Sequence, residues 1–370
     1  MKIPLSKASI TQQDIDAVSQ VLSSGQLSIG PQLVEFEKSI ADYTGVKHAI
    51  GVNSGTSGLH CLIRAMEIQK GDEVITTPFS FIASTNCFLF EGAKPVFADI
   101  DEKTYNINLE QVEGRITSNT KLLLPVDVFG QPLDMRAIMN IAQNHQLKVL
   151  EDSCEAIGSE YDGIKAGSAA DGAVFAFYPN KQMTTAEGGM IVTNDHHLAD
   201  TCRSLRNQGR SKTSKWLEHD QLGYNYRMSE LHAALGLSQF NRFETLLEKR
   251  NTVAQSYNKR LKNIDGIRIP YIHPKVNKMS WFVYTVAFAP GIDRDKVMDL
   301  LGERGIDSKP YFSPIHLQAF MRKAFGFQEG DFPVTERIAK STLSLPFYTD
   351  MQPFEVDAVC DALIEIIGKF

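Results

Sequence analysis

The stretch KLLLPVDVFGQPLDMRAIMNIAQNHQLKVLEDS, residues 121–153, contains the pattern that decides the fold. It begins with an apolar run at 121–128, continues with an amphipathic segment at 134–146, and ends in a second apolar run at 148–153. Strands that are apolar on both faces and are spaced by helices are typical of a parallel sheet covered by helices. This stretch therefore predicts a strand, a helix and a second strand of an α/β fold.

The same alternation extends over the first two-thirds of the chain. Further strands are predicted at HAIGV (48–52), EVITT (73–77), PVFAD (95–99), AVFAFY (173–178) and GMIVT (189–193), the last two close enough to be neighbours. Additional helices are predicted at 56–67 and 80–91. We therefore expect a large domain at residues 1–245, with a mostly parallel central sheet flanked by helices.

A smaller α+β domain is expected at residues 246–370. A helical pattern runs from Ser229 to Leu261 with little to break it, and it indicates a connector between the two domains. The other elements predicted in this part are a strand at 281–288, a helix at 293–305 and a terminal helix at 353–368. No Gly- or Pro-rich segment marks the boundary near residue 245.

Composition excludes several classes of protein. The 370 residues carry a net charge of −6, whereas a nucleic-acid-binding protein usually has a basic surplus. The five cysteines are scattered without a close C-x-x-C pair, and the histidines lack metal-ligand spacing, so we expect reduced thiols and no metal site. The first residues lack the apolar core of a signal peptide, and no stretch is apolar enough to span a bilayer. We therefore expect a cytoplasmic protein without membrane or nucleic-acid partners.

Three polar features follow predicted strands and could form one site. Asp152 ends the strand at 148–153, where ligands bind in open α/β sheets, although an aspartate there is also a common helix cap. Lys181 follows the strand at 173–178. A lysine confined in a site loses its proton more readily than an exposed one, because burial disfavours the charged form. The neutral amine can then form a Schiff base with an aldehyde. The turn NSGTSG (53–58) offers backbone amides and hydroxyls to a phosphate, or simply starts a helix.

Together with several ordered motifs, these features resemble the sugar-nucleotide aminotransferases of the DegT/DnrJ type, among the fold-type I pyridoxal-phosphate enzymes. The resemblance covers essentially the whole chain, and the segments E-D-S-C-E-A-I-G and P-Y-F-S-P-I-H resemble those of perosamine-type synthases. The motifs are G-P-x-x-x-x-F-E from Gly30, N-S-G-T-S-G-L, G-D-E-V-I-T-T-P-F-S-F-I-A-S, P-V-D-V-F-G-Q, E-D-S-C-E-A-I-G, N-K-Q-M-T-T-A-E-G-G-M and G-Y-N-Y-R-M-S. The resemblance implies pyridoxal 5'-phosphate (PLP) as the cofactor.

The resemblance also implies roles for the matching residues. Lys181 would carry the cofactor and then act as the base that moves a proton between substrate and cofactor carbons. Asp152 would keep the pyridine nitrogen protonated, so that the ring can accept electrons. Gly55 and Thr56 would bind the phosphate, and Phe81 would stack on the cofactor ring.

Other matching residues imply contacts with a second subunit and with the substrate. Asn225, in G-Y-N-Y-R, would reach the phosphate of the neighbouring subunit's cofactor, which implies a homodimer. Tyr311 and His316, in a segment resembling the family's substrate-facing stretch, could line the sugar pocket, although His316 fits a structural histidine beside a turn equally well.

Two positions depart from the commonest family pattern. Ala176 stands where a phosphate-binding serine is frequent, so that either the backbone suffices or Ser57 or Thr56 compensates. Glu155 stands near the expected phenolic oxygen of the cofactor, often the place of His or Gln. A carboxylate there would repel a phenolate unless it is protonated or turned away.

These observations favour a transamination that uses L-glutamate as donor and a nucleotide-linked keto-deoxysugar as acceptor. A 4-keto-6-deoxyhexose is the expected acceptor, with a 3-keto sugar as the alternative. A related PLP-dependent sugar 3-dehydratase would carry histidine in place of Lys181. A catalytically silent cofactor-binding regulator would be expected to lack Lys181 or Asp152, and the chain has both.

Overall fold

A computed structural model describes residues 2–211 and 218–370 of the chain. Within these ranges the helices are α1 (Gln12–Ser24), α2 (Pro31–Thr44), α3 (Gly55–Ala65), α4 (Ala83–Leu89), α5 (Met135–His145), α6 (His196–Arg206), α7 (Glu230–Phe240), α8 (Phe243–Leu261), α9 (Arg294–Glu303), α10 (Ala319–Phe325), α11 (Pro333–Ser341) and α12 (Pro353–Ile367). The strands are β1 (His48–Val52), β2 (Glu73–Thr76), β3 (Lys94–Phe97), β4 (Thr120–Leu124), β5 (Lys148–Asp152), β6 (Glu160–Tyr161), β7 (Ile164–Lys165), β8 (Gly172–Ala176), β9 (Gly189–Thr193), β10 (Ile267–Arg268), β11 (Val276–Lys278), β12 (Tyr284–Phe288) and β13 (Thr342–Leu345). None of these helices is both long and apolar enough to cross a membrane.

A mixed sheet of seven strands forms the centre of the larger part of the molecule. Its strand order is β1-β9-β8-β5-β4-β2-β3, and β8, β5, β4, β2 and β3 run parallel to one another. Strand β9 is antiparallel to both of its neighbours, β1 and β8. The predicted α/β class and the predicted adjacency of the last two apolar runs are therefore confirmed.

The strand–helix–strand stretch at residues 121–153 folds as predicted at its centre. Asp134 caps α5 by accepting a hydrogen bond from the Ala137 amide, and Gln146 ends the helix in the left-handed conformation. The buried face of α5 consists of Met135, Ile138 and Ala142, at the spacing of an amphipathic helix. The first predicted strand is shorter than expected: β4 ends at Leu124, because the next residue, a proline, has no amide hydrogen for the sheet.

The single long helix predicted between Ser229 and Leu261 is wrong, because the chain forms two helices there. Helix α7 ends at Phe240 and α8 begins at Phe243. Helix α7 packs against α1 and α2, whereas α8 packs against α12. The break allows the two helices to follow different surfaces, and the Arg242 side chain at the break donates to Asp14 in α1.

The C-terminal part has its own hydrophobic core and one three-stranded sheet, and it adds β11 to a second small sheet whose other strands, β6 and β7, come from the larger part. One sheet has the order β10-β12-β13, and α8, α9 and α12 contribute apolar side chains around it. Helix α8 contributes to two cores: Leu246 packs with the large sheet, whereas Tyr257 and Leu261 pack with the C-terminal core. The boundary near residue 245 stays a prediction.

Candidate active site

A cavity of about 470 Å³ lies at the carboxyl ends of the central parallel strands. Strands β5 and β8 end at this cavity with Asp152 and Ala176, and Val126 reaches it just beyond β4. Open α/β sheets bind ligands at this edge. Of the residues predicted for the site, those that line the cavity are Gly55, Thr56, Phe81, Asp152, Glu155, Lys181 and Tyr311.

Asp152 is fixed by hydrogen bonds on both carboxylate oxygens. Oδ2 accepts from the Ser84 hydroxyl at 2.6 Å, and Oδ1 accepts from the Cys154 amide at 3.1 Å. The Ser84 hydroxyl in turn lies 2.7 Å from the hydroxyl of Ser80, which precedes α4. The carboxylate is buried, so these neighbours hold it in one orientation toward the cavity.

The first turn of α3 provides backbone amides at the cavity wall. Ser54 caps this helix by accepting from the Ser57 amide, which leaves Gly55 and Thr56 at the cavity. A Cβ on Gly55 would lie 2.9 Å from the Cβ of Ala176, so only glycine allows this close approach. Amides at a helix start are suited to a phosphate.

Thr56 and Ser54 are the hydroxyl residues of this turn that line the cavity, and the Ser54 hydroxyl is already engaged with Ser57. Ser57 does not line it; the Ser57 hydroxyl donates to Asn53 Oδ1 at 2.6 Å. Of the two residues considered as replacements for the serine absent at Ala176, Thr56 is therefore the better placed.

Lys181 lies between a carboxylate and an aromatic ring. Its Nζ is 3.4 Å from Glu155 Oε1 and 3.8 Å from the centre of the Phe282 ring. The lysine side chain is only 12% exposed. The amine is thereby confined to one place in the cavity, within reach of a bound aldehyde.

Glu155 turns toward the site and does not point away from it. Besides its contact with Lys181, its Oε2 accepts from the Phe129 amide at 2.9 Å. Burial raises the pKa of Glu155 above its ordinary value, and the charge of Lys181 opposes this shift. A neutral carboxyl at this position would not repel a phenolate.

Two aromatic residues frame the opening of the cavity. Phe81 is 61% exposed and lines the cavity, so its ring is accessible to a flat ligand. Tyr311 is half-buried and stacks with Phe282, their ring centres 6.2 Å apart. Burial, and then the charge of Glu155, raise the pKa of Tyr311, so its hydroxyl keeps its proton.

His316 and Asn225 lie outside this cavity. The His316 ring is fully buried, its Nε2 is 3.0 Å from Glu336 Oε1, and it packs edge-to-face with Phe332. The structure thus places His316 in the protein interior and does not bring it to this cavity. Asn225 is exposed at the surface, and its role toward a second subunit stays a prediction.

Sequence reasoning did not single out Ser84 or Phe282. Ser84 ends the motif G-D-E-V-I-T-T-P-F-S-F-I-A-S, and its spacing of four residues from Ser80 within the predicted helix 80–91 is a signal that the two side chains share one face. Phe282 comes from the C-terminal part, and no local pattern connects it with Lys181. Its apolar character predicted only a strand.

The described residues fit PLP. A cavity of this size offers an amine at Lys181, a fixed carboxylate at Asp152, helix-start amides at Gly55 and an exposed ring at Phe81. These groups match the aldehyde, the ring nitrogen, the phosphate and the ring face of that cofactor.

Comparison with known proteins agrees with this geometry. The model of the DegT/DnrJ/EryC1/StrS aminotransferase family matches residues 8–364. The chain belongs to this family. It is therefore a PLP-dependent sugar aminotransferase with the fold-type I architecture, and the predictions of family, fold class, enzyme class and cofactor are confirmed.

Several relatives of this aminotransferase are similar over nearly their whole length. GDP-perosamine synthase of Caulobacter vibrioides is 39% identical over 343 residues, which cover 92% of this chain and 91% of that protein. PseC of Helicobacter pylori, an aminotransferase of pseudoaminic acid biosynthesis, has a TM-score of 0.95 at 31% identity, with 100% of both chains covered. A Streptococcus pneumoniae protein described as a sugar aminotransferase, solved in its PLP form, has a TM-score of 0.94 at 26% identity and covers 100% of this chain and 99% of its own.

Proposed function

We propose that this sugar aminotransferase transfers the amino group of L-glutamate to a nucleotide-linked 4-keto-6-deoxyhexose. The observation that carries the proposal is the placement of Lys181, with Glu155 beside it and Asp152 in the same cavity. The 39% identity to a GDP-perosamine synthase supports the choice of a 4-keto sugar. Bound PLP supplies an electron sink for the electrons released at the carbon next to the amine.

Lys181 is proposed as the residue that attaches the cofactor and carries the proton during the reaction. Its amine is confined by Glu155 and Phe282, so that it stays close to the reacting carbon. Asp152, fixed by Ser84 and the Cys154 amide, is proposed to hold the proton of the pyridine nitrogen.

Thr56 and the amides at the start of α3 are proposed to hold the phosphate, while Phe81 covers the ring and Tyr311 faces the sugar. These contacts orient the bound groups and exclude water from one side of the cavity. We also propose that two copies form a homodimer in which Asn225 serves the neighbouring site.

The proposal is tested with a panel of nucleotide-linked 3-keto and 4-keto sugars, each incubated with the protein, PLP and L-glutamate. We expect an amino sugar with nitrogen at C4, identified by mass spectrometry and by NMR. Lys181→Ala is expected to abolish turnover. Lys340→Ala is the matched control, because this lysine is exposed and paired with Glu329, and we expect it to retain the turnover of the unmodified protein.

Other products would contradict the proposal in distinct ways. Amination at C3 would assign the enzyme to 3-keto sugars. A deoxygenated keto sugar without nitrogen would indicate the dehydratase reaction. Absence of any reaction with glutamate would contradict glutamate as donor.

A further inference from the structure

The segment GYNYR, residues 223–227, presents its two tyrosines on one side and Asn225 on the other. Its backbone is extended and hydrogen-bonds to residues 205–208. Side chains alternate along such a chain, so Tyr224 and Tyr226 share one side. Their rings stack with centres 4.8 Å apart and planes at 10°, whereas Asn225 is exposed.

His60 attaches this stacked pair to helix α3. Its ring is buried, its centre is 4.8 Å from that of Tyr224, and its Nδ1 is 3.2 Å from the Tyr226 hydroxyl. Its Nε2 is 2.7 Å from Glu91 Oε1. A carboxylate only accepts hydrogen bonds, so Nε2 carries a hydrogen, and a neutral ring then accepts at Nδ1 from Tyr226.

Glu91 is fixed in the same network. Its Oε2 accepts from Arg64 at 2.9 Å, and Tyr224 donates to its Oε1 at 3.4 Å. Burial raises the pKa of Glu91, but the hydrogen bonds from His60 and Arg64 outweigh burial and hold it below its ordinary value. The carboxylate thus stays ionised and keeps its partners in place.

The network also adjoins the phosphate cradle of its own chain. The Asn53 amide donates to the Tyr226 carbonyl at 2.9 Å, and Asn53 Nδ2 donates to the Asn225 carbonyl at 3.3 Å. Helix α3 begins at this cradle with Gly55 and carries His60 one turn further. The Asn225 side chain nevertheless does not line the cavity of its own chain.

We propose that His60, supported by Glu91 and Arg64, is a positioning residue that fixes Tyr224 and Tyr226 and thereby presents the Asn225 amide to the cofactor phosphate of a second copy. The inference rests on the proposed function, since it requires PLP and a homodimer. One helix would then serve two sites, its own through Gly55 and the neighbour's through His60.

The experiment is a double-mutant cycle on the dissociation constant of PLP, measured by the change of visible absorbance on titration of the apoprotein. Tyr226→Phe removes only the hydroxyl that His60 holds, and Asn225→Ala removes the amide. We expect each single variant to bind PLP about three- to ten-fold more weakly, the range for one hydrogen bond. The double variant is expected to be no weaker than Asn225→Ala, because the tyrosine acts through the asparagine.

Tyr43→Phe is the matched control. It likewise removes only a tyrosine hydroxyl, the donor of a 2.9 Å hydrogen bond to Glu244, at a place outside the cavity. We expect its affinity for PLP to equal that of the unmodified protein, even where its melting temperature falls. A purely structural role for Tyr226 would give the same pattern as this control and would overturn the proposal.

Two further results would overturn it. Additive losses in the double variant would mean that Tyr226 acts independently of Asn225. An unchanged affinity in Asn225→Ala would remove the contact on which the inference depends. Transamination by the same protein preparations tests the proposed function separately, because it depends on Lys181. If either result overturns the inference, we still expect transamination to persist.

Discussion

Glu155 lies beside Lys181 and is almost fully buried, so its protonation state decides whether it would repel the phenolic oxygen of the cofactor. Since burial raises its pKa, a neutral side chain of the same shape should serve nearly as well. We expect the kcat of Glu155→Gln to stay within about three-fold of that of the unmodified protein, a change smaller than the loss of one hydrogen bond would cause. Glu155→Ala leaves the Phe129 amide without its acceptor and is expected to lower kcat by about ten-fold or more. Equal losses in both variants, measured by steady-state kinetics, would contradict this.

The same carboxyl gives a pH dependence of stability. Its pKa is higher in the folded than in the unfolded protein, so between these two values the folded state holds the extra proton. The free energy of unfolding therefore falls as pH rises from the ordinary carboxyl pKa through the raised one. Glu155→Gln lacks this titrating group. We therefore expect the free energy of unfolding of Glu155→Gln, minus that of the unmodified protein, to increase as pH rises from the ordinary carboxyl pKa through the raised one. Urea unfolding at several pH values measures the difference.

Ala176 offers a gain-of-function test at the cradle. Its Cβ lies close to Gly55 on the cavity wall, so a hydroxyl there would lie near the proposed phosphate. We expect Ala176→Ser to tighten PLP binding by about three- to ten-fold, the contribution of one hydrogen bond. An unchanged dissociation constant would show that Thr56 and the amides already satisfy the phosphate.

At the scale of the elements, helix α11 depends on a cap from a distant strand. Asp99, just beyond β3, accepts from the amides of Val334 and Thr335, each at 2.9 Å, and it is buried. We expect Asp99→Ala to lower the free energy of unfolding by about 2–4 kcal/mol, since several buried donors lose their acceptor. Asp195→Ala, which removes a local and exposed cap of α6, should cost only about 1 kcal/mol. Chemical denaturation compares the two, and equal losses would contradict the reasoning.

The elements that sequence predicts best are those whose signals are local. HAIGV and GMIVT coincide with β1 and β9, because each is a short apolar run between polar residues. Helix α11 was not predicted, because its cap comes from a residue 235 positions earlier. The break between α7 and α8 was missed for a similar reason, since it depends on packing against different surfaces.

The site shows the same division between local and distant signals. Asp152 and Lys181 follow strands, and their motifs identify them. Phe282 reaches Lys181 from a separate part of the chain, so only the folded structure brings them together. His316 lies in a short 3₁₀ turn that directs its ring into the interior, which its neighbours in sequence do not reveal.

For the whole molecule, the proposed homodimer makes a prediction about mixed subunits. Lys181→Ala should be inactive alone, and Asn225→Ala should be weakened at limiting PLP. A mixed dimer contains one site with both Lys181 and a neighbouring Asn225, so mixing the two variants should restore part of the activity. Co-refolded mixtures assayed at limiting PLP test this. No recovery, with dimers present by light scattering, would contradict the contact across the interface.

Helix α8 restricts where this protein can be recombined with its relatives. Because Leu246 belongs to one core and Tyr257 to the other, a chimera joined within the helix would combine two half-helices that never packed together. A junction beyond Leu261 keeps the helix from one parent, but it brings Phe282 from the other parent to Lys181. Exchange of the C-terminal segment would thus replace Phe282, a residue that lines the proposed catalytic pocket, together with the surrounding C-terminal fold.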